Sequence, residues 1–176
     1  MNYKNILFDL DGTLTDSSPG IINAYIYSLN KLGLNEDDIS IVRSYIGSPL
    51  RAYYAERQKL TPADSELAVK YFREHYNDTG IYENNVYPGI KELLEKLTDS
   101  GCRLYIATSK PEKFAITVLK HFGLKSYFTY IKGSDMSPDN KPKDIIIKHV
   151  MDVNSLNAND SIMIGDRYHD IRGAHL

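Results

Sequence analysis

The chain has 176 residues, 42% of them hydrophobic and 25% charged, with a formal net charge of −2. This length is enough for one good core, alone or with a small second domain, and the near-neutral charge argues against a nucleic-acid or anionic-membrane partner. The single cysteine, Cys102, excludes an intrachain disulfide and a zinc site built from cysteines. Because the chain enters its first predicted strand at once and has no membrane-length apolar run, we expect a cytoplasmic protein.

The first predicted strand ends on two aspartates. Residues 6–8 are apolar and typical of a strand buried on both faces, and Asp9 and Asp11 follow it with one residue between them. Gly12 offers the free backbone that a turn requires at this point. Since open α/β sheets place their sites at the carboxyl ends of strands, we interpret the pair as catalytic carboxylates, with an acidic turn as the alternative.

The next part of the chain, from about residue 18 to 80, has a helical pattern. Four helices are predicted, over 19–33, 37–45, 49–58 and from Thr61 onward, where Thr61 caps the last of them and Pro62 takes its first position. No strand pattern interrupts these residues, so we predict a small helical bundle.

Strands and helices alternate in the remaining sequence. Strands are predicted over 103–108, 128–132 and 161–165, separated by helices over 90–100, 111–122 and 143–153, with a last helix from Asp170. This alternation is typical of a doubly wound parallel sheet, so the fold class is α/β with an inserted all-α cap. The predicted domains are residues 1–16 with 82–176 for the α/β core and 17–81 for the cap.

The motif FDLDGTL at 8–14, followed by Asp16 and Ser17, resembles the first motif of the haloacid dehalogenase-like hydrolases. It is most similar to the branch with phosphoglycolate phosphatases, 5'-nucleotidases, small-sugar phosphatases and β-phosphoglucomutase, whose members carry a helical cap. Three more motifs follow in the expected order, so the resemblance covers nearly the whole chain. Relatives usually continue through another helix and strand, so the core is expected to be truncated at its C-terminal end.

The resemblance implies distinct roles for the two aspartates. Asp9 would attack phosphorus to give an aspartyl-phosphate and would also bind the metal, although a metal ligand alone is the alternative. Asp11 would protonate the leaving alkoxide and then activate water, and its backbone carbonyl would touch the metal. Haloacid dehalogenases proper lack this second aspartate because halide needs no proton, so Asp11 favours a phosphatase or phosphomutase.

The second and third motifs supply phosphate-binding groups. Thr108 and Ser109 resemble the second motif, in which a hydroxyl and free N–H groups before a helix bind phosphate; a plain helix cap is the alternative. Lys110 either assists or is a solvated surface residue. Lys141 resembles the lysine of the third motif, which neutralises the nucleophile and the phosphoryl group. Lys143 is its rival, and we choose Lys141 because it precedes a proline as the family's lysine does.

The fourth motif and the cap complete the predicted site. Asp166 resembles the family's Mg²⁺ ligand. Asp170 is also assigned to the metal site, either as a direct ligand or as a carboxylate behind Asp166, with a helix cap as the alternative. In the cap, residues 44–51 resemble the loop that faces the substrate. There Gly47 would allow close backbone approach and Arg51 could bind a second anion; an exposed helix arginine is the alternative for Arg51.

The resemblance implies a Mg²⁺-dependent phosphatase acting on a small phosphorylated metabolite, either a phosphoglycolate-like acid or a 5'-nucleotide. A phosphomutase of the β-phosphoglucomutase type and a non-catalytic phosphate-binding or regulatory domain are the alternatives. We expect a monomer or homodimer with neither a nucleic-acid nor a membrane partner.

Overall fold

The apolar run near the N-terminus forms the interior strand of the sheet. The computed structural model describes residues 3–46, 50–135 and 142–175. Strand β1 (Asn5–Phe8) is buried along its whole length. Among the described residues, the parallel sheet has the order β5-β4-β1-β6, and the other strands are β4 (Arg103–Pro111), β5 (Phe128–Ser134) and β6 (Ser161–Ile164). The prediction of an α/β fold with a buried first strand is therefore confirmed.

Helices connect these strands. They are α5 (Ile90–Asp99), α6 (Glu112–His121), α7 (Lys143–Val153) and α8 (Tyr168–Ala174). Three buried residues of α7, Ile146, Ile147 and Val150, join Leu7 of β1 and Tyr105 of β4 in one apolar cluster. This packing fixes the start of α7 relative to the end of β1, because both elements belong to the same close-packed core.

The second strand of the sheet is longer than the sequence predicts. We expected a strand over 103–108, but β4 continues to Pro111, which pairs with Ser134 after an irregularity in the ladder. The Ser134 hydroxyl also donates to the Ser109 carbonyl at 2.7 Å. The pairing of Pro111 with Ser134 therefore continues β4 to Pro111, and α6 begins only at Glu112.

The helical residues form a compact unit of their own. The chain divides into Met1–Asp16 with Asn85–Leu176, and Ser17–Asn84. The second unit contains α1 (Ser18–Lys31), α2 (Ile39–Ser44), α3 (Leu50–Ala52) and α4 (Pro62–His75). Residues 53–57 and 76–80 are π-helical turns that extend α3 and α4. Thr61 caps α4 by accepting from the Asp64 N–H at 3.2 Å, as predicted.

The two ends of this helical unit meet each other. In the other unit, β2 (Thr15–Asp16) pairs antiparallel with β3 (Asn85–Val86). Within the helical unit, the Gly20 N–H donates to the Glu83 carbonyl at 3.0 Å. Gly20 also lies against the Gly80 carbonyl so closely that a Cβ at Gly20 would collide with it. Glycine is therefore required at Gly20 for the two backbone segments to approach.

Aromatic side chains fill the interior of the helical unit. The Tyr25 ring lies 4.6 Å from the Tyr53 ring and 4.9 Å from the Phe72 ring, measured between centroids. The Tyr54 hydroxyl forms a 2.6 Å hydrogen bond with the Ser28 hydroxyl. Pairs of this geometry contribute beyond their buried area, so the tyrosines are a major part of this core. Among the described residues, no helix is both long and apolar enough to cross a membrane.

The buried tyrosines predict that the chain loses stability in alkaline solution. Burial raises the pKa of Tyr25 and of Tyr54 above the usual tyrosine range. The folded state therefore keeps these protons when the unfolded state loses them, above about pH 10. We expect the free energy of unfolding, measured by urea denaturation, to fall above that pH by about 1.4 kcal/mol per pH unit for each buried tyrosine.

The double variant with Tyr25→Phe and Tyr54→Phe separates the contribution of these tyrosines to the alkaline loss of stability from the contribution of lysines, which titrate in the same pH range. Its unfolding free energy should fall less steeply between pH 9 and 11 than that of the wild type. Tyr3→Phe is the matched control, because Tyr3 is exposed. Equal slopes for the wild type and the double variant would contradict the prediction.

Candidate active site at the carboxyl edge of the sheet

Asp9 lies at the carboxyl end of the interior strand and is buried. In the sheet register, Phe8 stands beside Ile106 of β4 and Ile164 of β6. The segments that follow these three strand residues therefore begin at one edge of the sheet. The Asp9 N–H donates to the Ile164 carbonyl at 2.9 Å, and the side chain of Asp9 is largely shielded from solvent.

A buried lysine lies between Asp9 and a second carboxylate. The Lys143 Nζ is 2.9 Å from Asp9 Oδ1 and 2.7 Å from Asp170 Oδ1. All three side chains are buried, and Lys143 is the first residue of α7. Buried charges are tolerated only when they are paired, so this ammonium is needed where two carboxylates approach each other.

The predicted lysine, Lys141, lies outside the described residues, so its role stays a prediction. The structure places its rival, Lys143, against the predicted nucleophile. Of the two lysines around Pro142, the structure describes only Lys143, which reaches Asp9.

Opposing electrostatic effects act on the pKa of the Asp9 carboxyl. Burial raises the pKa of the Asp9 carboxyl, while Lys143 and a hydrogen bond from the Thr108 hydroxyl lower it less strongly. Asp170, which is also close, raises it further. An additional cation at this place would favour the ionised form that a nucleophile requires.

Three carboxylates in this region could hold a metal ion. Asp9, Asp166 and Asp170 each offer one oxygen, and these oxygens lie within 4.8 Å of one another. Three carboxylates with one lysine leave an excess of negative charge, and hard oxygen ligands suit Mg²⁺. The donor set therefore fits the predicted metal, with Asp9, Asp166 and Asp170 as the residues that would hold it.

Asp170 has the helix-cap role that the sequence leaves open, and its role behind a metal-bound Asp166 stays a prediction. Its Oδ2 accepts from the Arg167 N–H at 3.0 Å, which caps the start of α8, while its Oδ1 binds Lys143. The backbone bond orients the carboxylate toward the site. Direct ligation of the metal by Asp170 stays a prediction.

Gly12 brings the first motif close to Asp166. Its φ is +84°, a left-handed conformation that side chains rarely adopt, and a Cβ there would lie 2.5 Å from Asp166 Oδ2. The next residue, Thr13, donates to Asp166 Oδ1 at 3.4 Å. Glycine is thus required both for the turn and for the approach of the fourth motif.

Thr108 points its hydroxyl at the predicted nucleophile instead of capping a helix. Thr108 is buried, and its hydroxyl donates to the Asp9 carboxylate. Because α6 starts only at Glu112, the helix-cap alternative for Thr108 is wrong. Ser109 gives its carbonyl to Ser134, and its predicted contact with phosphate stays a prediction.

Lys110 is a buried member of the site. The solvated alternative is wrong, because Lys110 is only 8% exposed. Its Nζ lies 3.0 Å from both carboxylate oxygens of Asp11. The Asp11 side chain thus binds Lys110, and the predicted contact of the Asp11 carbonyl with a metal stays a prediction.

The structure tests neither of the two substrate contacts predicted in the cap. Gly47 lies outside the described residues. Arg51 forms a two-pronged ion pair with Glu66 of α4, in which Nη2 and Oε2 are 2.9 Å apart. The structure therefore shows Arg51 bound within the helical unit, and its contact with a substrate anion stays a prediction.

Comparisons with known proteins agree with these motifs. A family model described as haloacid dehalogenase-like hydrolase matches residues 6–176. A 5'-nucleotidase of Pseudomonas aeruginosa is 42% identical over 99% of this chain and 79% of its own length. A phosphoglycolate phosphatase of Vibrio parahaemolyticus is 31% identical, over 98% of this chain and 79% of its own. The tyrosine-protein kinase PtkA of Mycobacterium tuberculosis is 32% identical over 96% of this chain, which spans only 57% of PtkA.

A solved structure is also similar along the whole chain. The crystal structure of a candidate phosphatase from Clostridium difficile is 41% identical and matches with a TM-score of 0.93, covering 99% of this chain and 81% of that one. The family model spans residues 6–176, which include Asp9, Thr108, Lys141 with its rival Lys143, and Asp166. The chain therefore belongs to the haloacid dehalogenase-like hydrolases.

Proposed function

We propose that this protein is a Mg²⁺-dependent phosphatase that hydrolyses a small phosphate monoester through an aspartyl-phosphate on Asp9. One observation carries the proposal. The buried Asp9 carboxylate is in contact with both the Thr108 hydroxyl and the Lys143 ammonium, beside the carboxylates of Asp166 and Asp170. A nucleophile, phosphate-binding donors and a metal-binding group are thus adjacent, as phosphoryl transfer requires.

In the first step, the Asp9 carboxylate attacks phosphorus and the bond to the leaving oxygen breaks. The Thr108 hydroxyl and the Lys143 ammonium, which contact Asp9 in the free chain, would then bind phosphoryl oxygens. When bound, Mg²⁺ supplies positive charge that lets the anionic phosphate approach the carboxylates. Asp9, Asp166 and Asp170 are the residues that would hold it.

Asp11 would move the protons in both steps. It gives a proton to the leaving oxygen as that bond breaks, and it then accepts a proton from the water that attacks the aspartyl-phosphate. The second attack releases inorganic phosphate and restores the Asp9 carboxylate. Among the two substrate classes, we favour 5'-nucleotides, because the relative named 5'-nucleotidase shares 42% of its aligned residues with this chain.

The test is phosphate release from a panel of esters, measured in Mg²⁺ and in EDTA. The panel contains nucleoside 5'-monophosphates, 2-phosphoglycolate, glucose 1-phosphate and phosphotyrosine. We expect release only with Mg²⁺, fastest from a nucleotide. No release by a chain that circular dichroism shows to be folded would refute the proposal. Conversion of a sugar phosphate that needs a sugar bisphosphate would instead indicate a phosphomutase.

A further inference from the structure

The phosphate-binding segment holds a buried cation against the side chain of Asp11. Lys110 lies two residues after Thr108 in β4, and each contacts one aspartate of the first motif: Thr108 contacts Asp9, and Lys110 contacts Asp11. The Lys110 Nζ reaches both Asp11 oxygens at 3.0 Å. An ammonium placed between both oxygens favours one orientation of the Asp11 carboxylate, because a carboxylate that turned away would lose its contact with a buried charge.

Lys110 is itself held in place by its neighbours. Its N–H donates to the Thr108 hydroxyl at 3.2 Å. Its carbonyl lies so near Gly133 of β5 that a Cβ at Gly133 would come within 2.5 Å of it. The lysine side chain is 4% exposed. Packing and backbone contacts therefore leave this ammonium little freedom to move away from Asp11.

We propose that Lys110 is a positioning residue that orients Asp11 for proton transfer, and this inference rests on the function proposed above. Thr108 contacts Asp9 while Lys110 contacts Asp11, so residues 108–110 set the spacing between the nucleophile and the acid/base. Proton transfer in the transition state needs the acid within hydrogen-bond reach of the leaving oxygen. Without Lys110, Asp11 keeps its carboxylate but loses its fixed orientation.

The inference predicts an effect that depends on the leaving group. We would measure kcat/KM, which reports on the steps through aspartyl-phosphate formation, for 4-nitrophenyl phosphate, phenyl phosphate and an alkyl phosphate. The 4-nitrophenolate leaves without a proton, whereas an alkoxide requires one. For Lys110→Met we expect kcat/KM to fall by about 10- to 100-fold on the alkyl ester and by less than about threefold on the 4-nitrophenyl ester.

Four further variants make the test specific. Asp11→Asn should show the same dependence on the leaving group, but more strongly. Adding Lys110→Met to Asp11→Asn should change kcat/KM for the alkyl ester by less than about twofold, because both act on one proton transfer. Lys110→Arg keeps a cation, so its kcat/KM for the alkyl ester should lie between those of Lys110→Met and the wild type. If Lys110→Met does not fold, Lys110→Arg takes its place in the comparison of the three esters. Lys113→Met, on the exposed side of α6, is the matched control.

Each outcome is decisive. An equal loss on all three esters would show that Lys110 acts only through structure, and a rise in KM alone would show that it binds the substrate anion; either result overturns the inference. If the wild type hydrolyses none of the esters in Mg²⁺, the proposed function fails and the role of Lys110 fails with it. A loss confined to the esters with poor leaving groups supports the inference.

Discussion

Replacing Asp9 with asparagine is expected to abolish phosphate release while leaving the fold intact. The amide has the shape of the carboxylate but is a poor nucleophile, so kcat for the best ester of the panel should fall by about 10⁴-fold or more. The measurement is steady-state phosphate release in Mg²⁺. The matched control is Asp152→Asn, which removes an exposed carboxylate from the surface pair with Lys148 and should keep wild-type activity.

The stability of the Asp9→Asn variant should not fall with its activity. Burial raises the pKa of Asp9, so the folded chain favours the neutral carboxyl, and this stability is lost as the pH rises toward the raised value. Without metal, the ionised form of Asp9 is therefore less favourable in the folded chain than in the unfolded chain, and asparagine avoids this cost. Thermal unfolding in EDTA at pH 7 should show a midpoint no lower than that of the wild type. Retained turnover, or a clearly lower midpoint, would contradict this account.

Replacing Lys143 with methionine is expected to damage both activity and stability. It leaves the buried carboxylates of Asp9 and Asp170 without their shared cation, and breaking such a buried pair costs about 3–5 kcal/mol. The loss of a cation that binds the phosphoryl group should lower kcat by about 10²- to 10³-fold. Urea unfolding in EDTA and in Mg²⁺ measures the first effect, and Mg²⁺ should restore part of the lost stability.

Lys141→Met is the matched variant, since it changes the other lysine beside Pro142 in the same way. If Lys143 neutralises the nucleophile, Lys141→Met should retain turnover within about threefold of the wild type. If Lys141→Met instead lowered kcat more than Lys143→Met does, the result would support Lys141 as the lysine of the third motif. Lys143 would then have only the structural task of pairing Asp9 with Asp170.

The parts of the site that sequence predicts are those specified by local pattern. An apolar run followed by Asp9 and Asp11 predicts a buried strand with carboxylates at its end, because strand burial and the turn at Gly12 are short-range properties. The same reasoning applies to Asp166 after β6. The four-strand order and the register that gathers these ends depend on packing between distant segments, which the pattern alone does not contain.

Lys110 and Lys143 show which features of the site a local sequence pattern does not specify. The sequence Thr108-Ser109-Lys110 before a helical pattern leaves open whether Lys110 assists the site or is solvated, and in the structure β4 continues through it to Pro111. Lys110 is buried there, and its ammonium contacts Asp11. For Lys143, a long flexible side chain at a helix start can face solvent or core, and only the packing of α7 on β1 decides between them.

The close meeting of the ends of the helical unit, at Gly20 and Gly80, has a consequence for the order of folding. Strand β1 must find β4 about 100 residues later in the chain, and such long-range pairing slows folding through the entropy of closing the loop. The helical unit lies inside that loop and has its own aromatic core. If it forms first, the loop behaves as one of roughly 30 residues, and its closure costs about 1 kcal/mol less. The inserted helices thus assist the nucleation of the sheet that surrounds them in sequence.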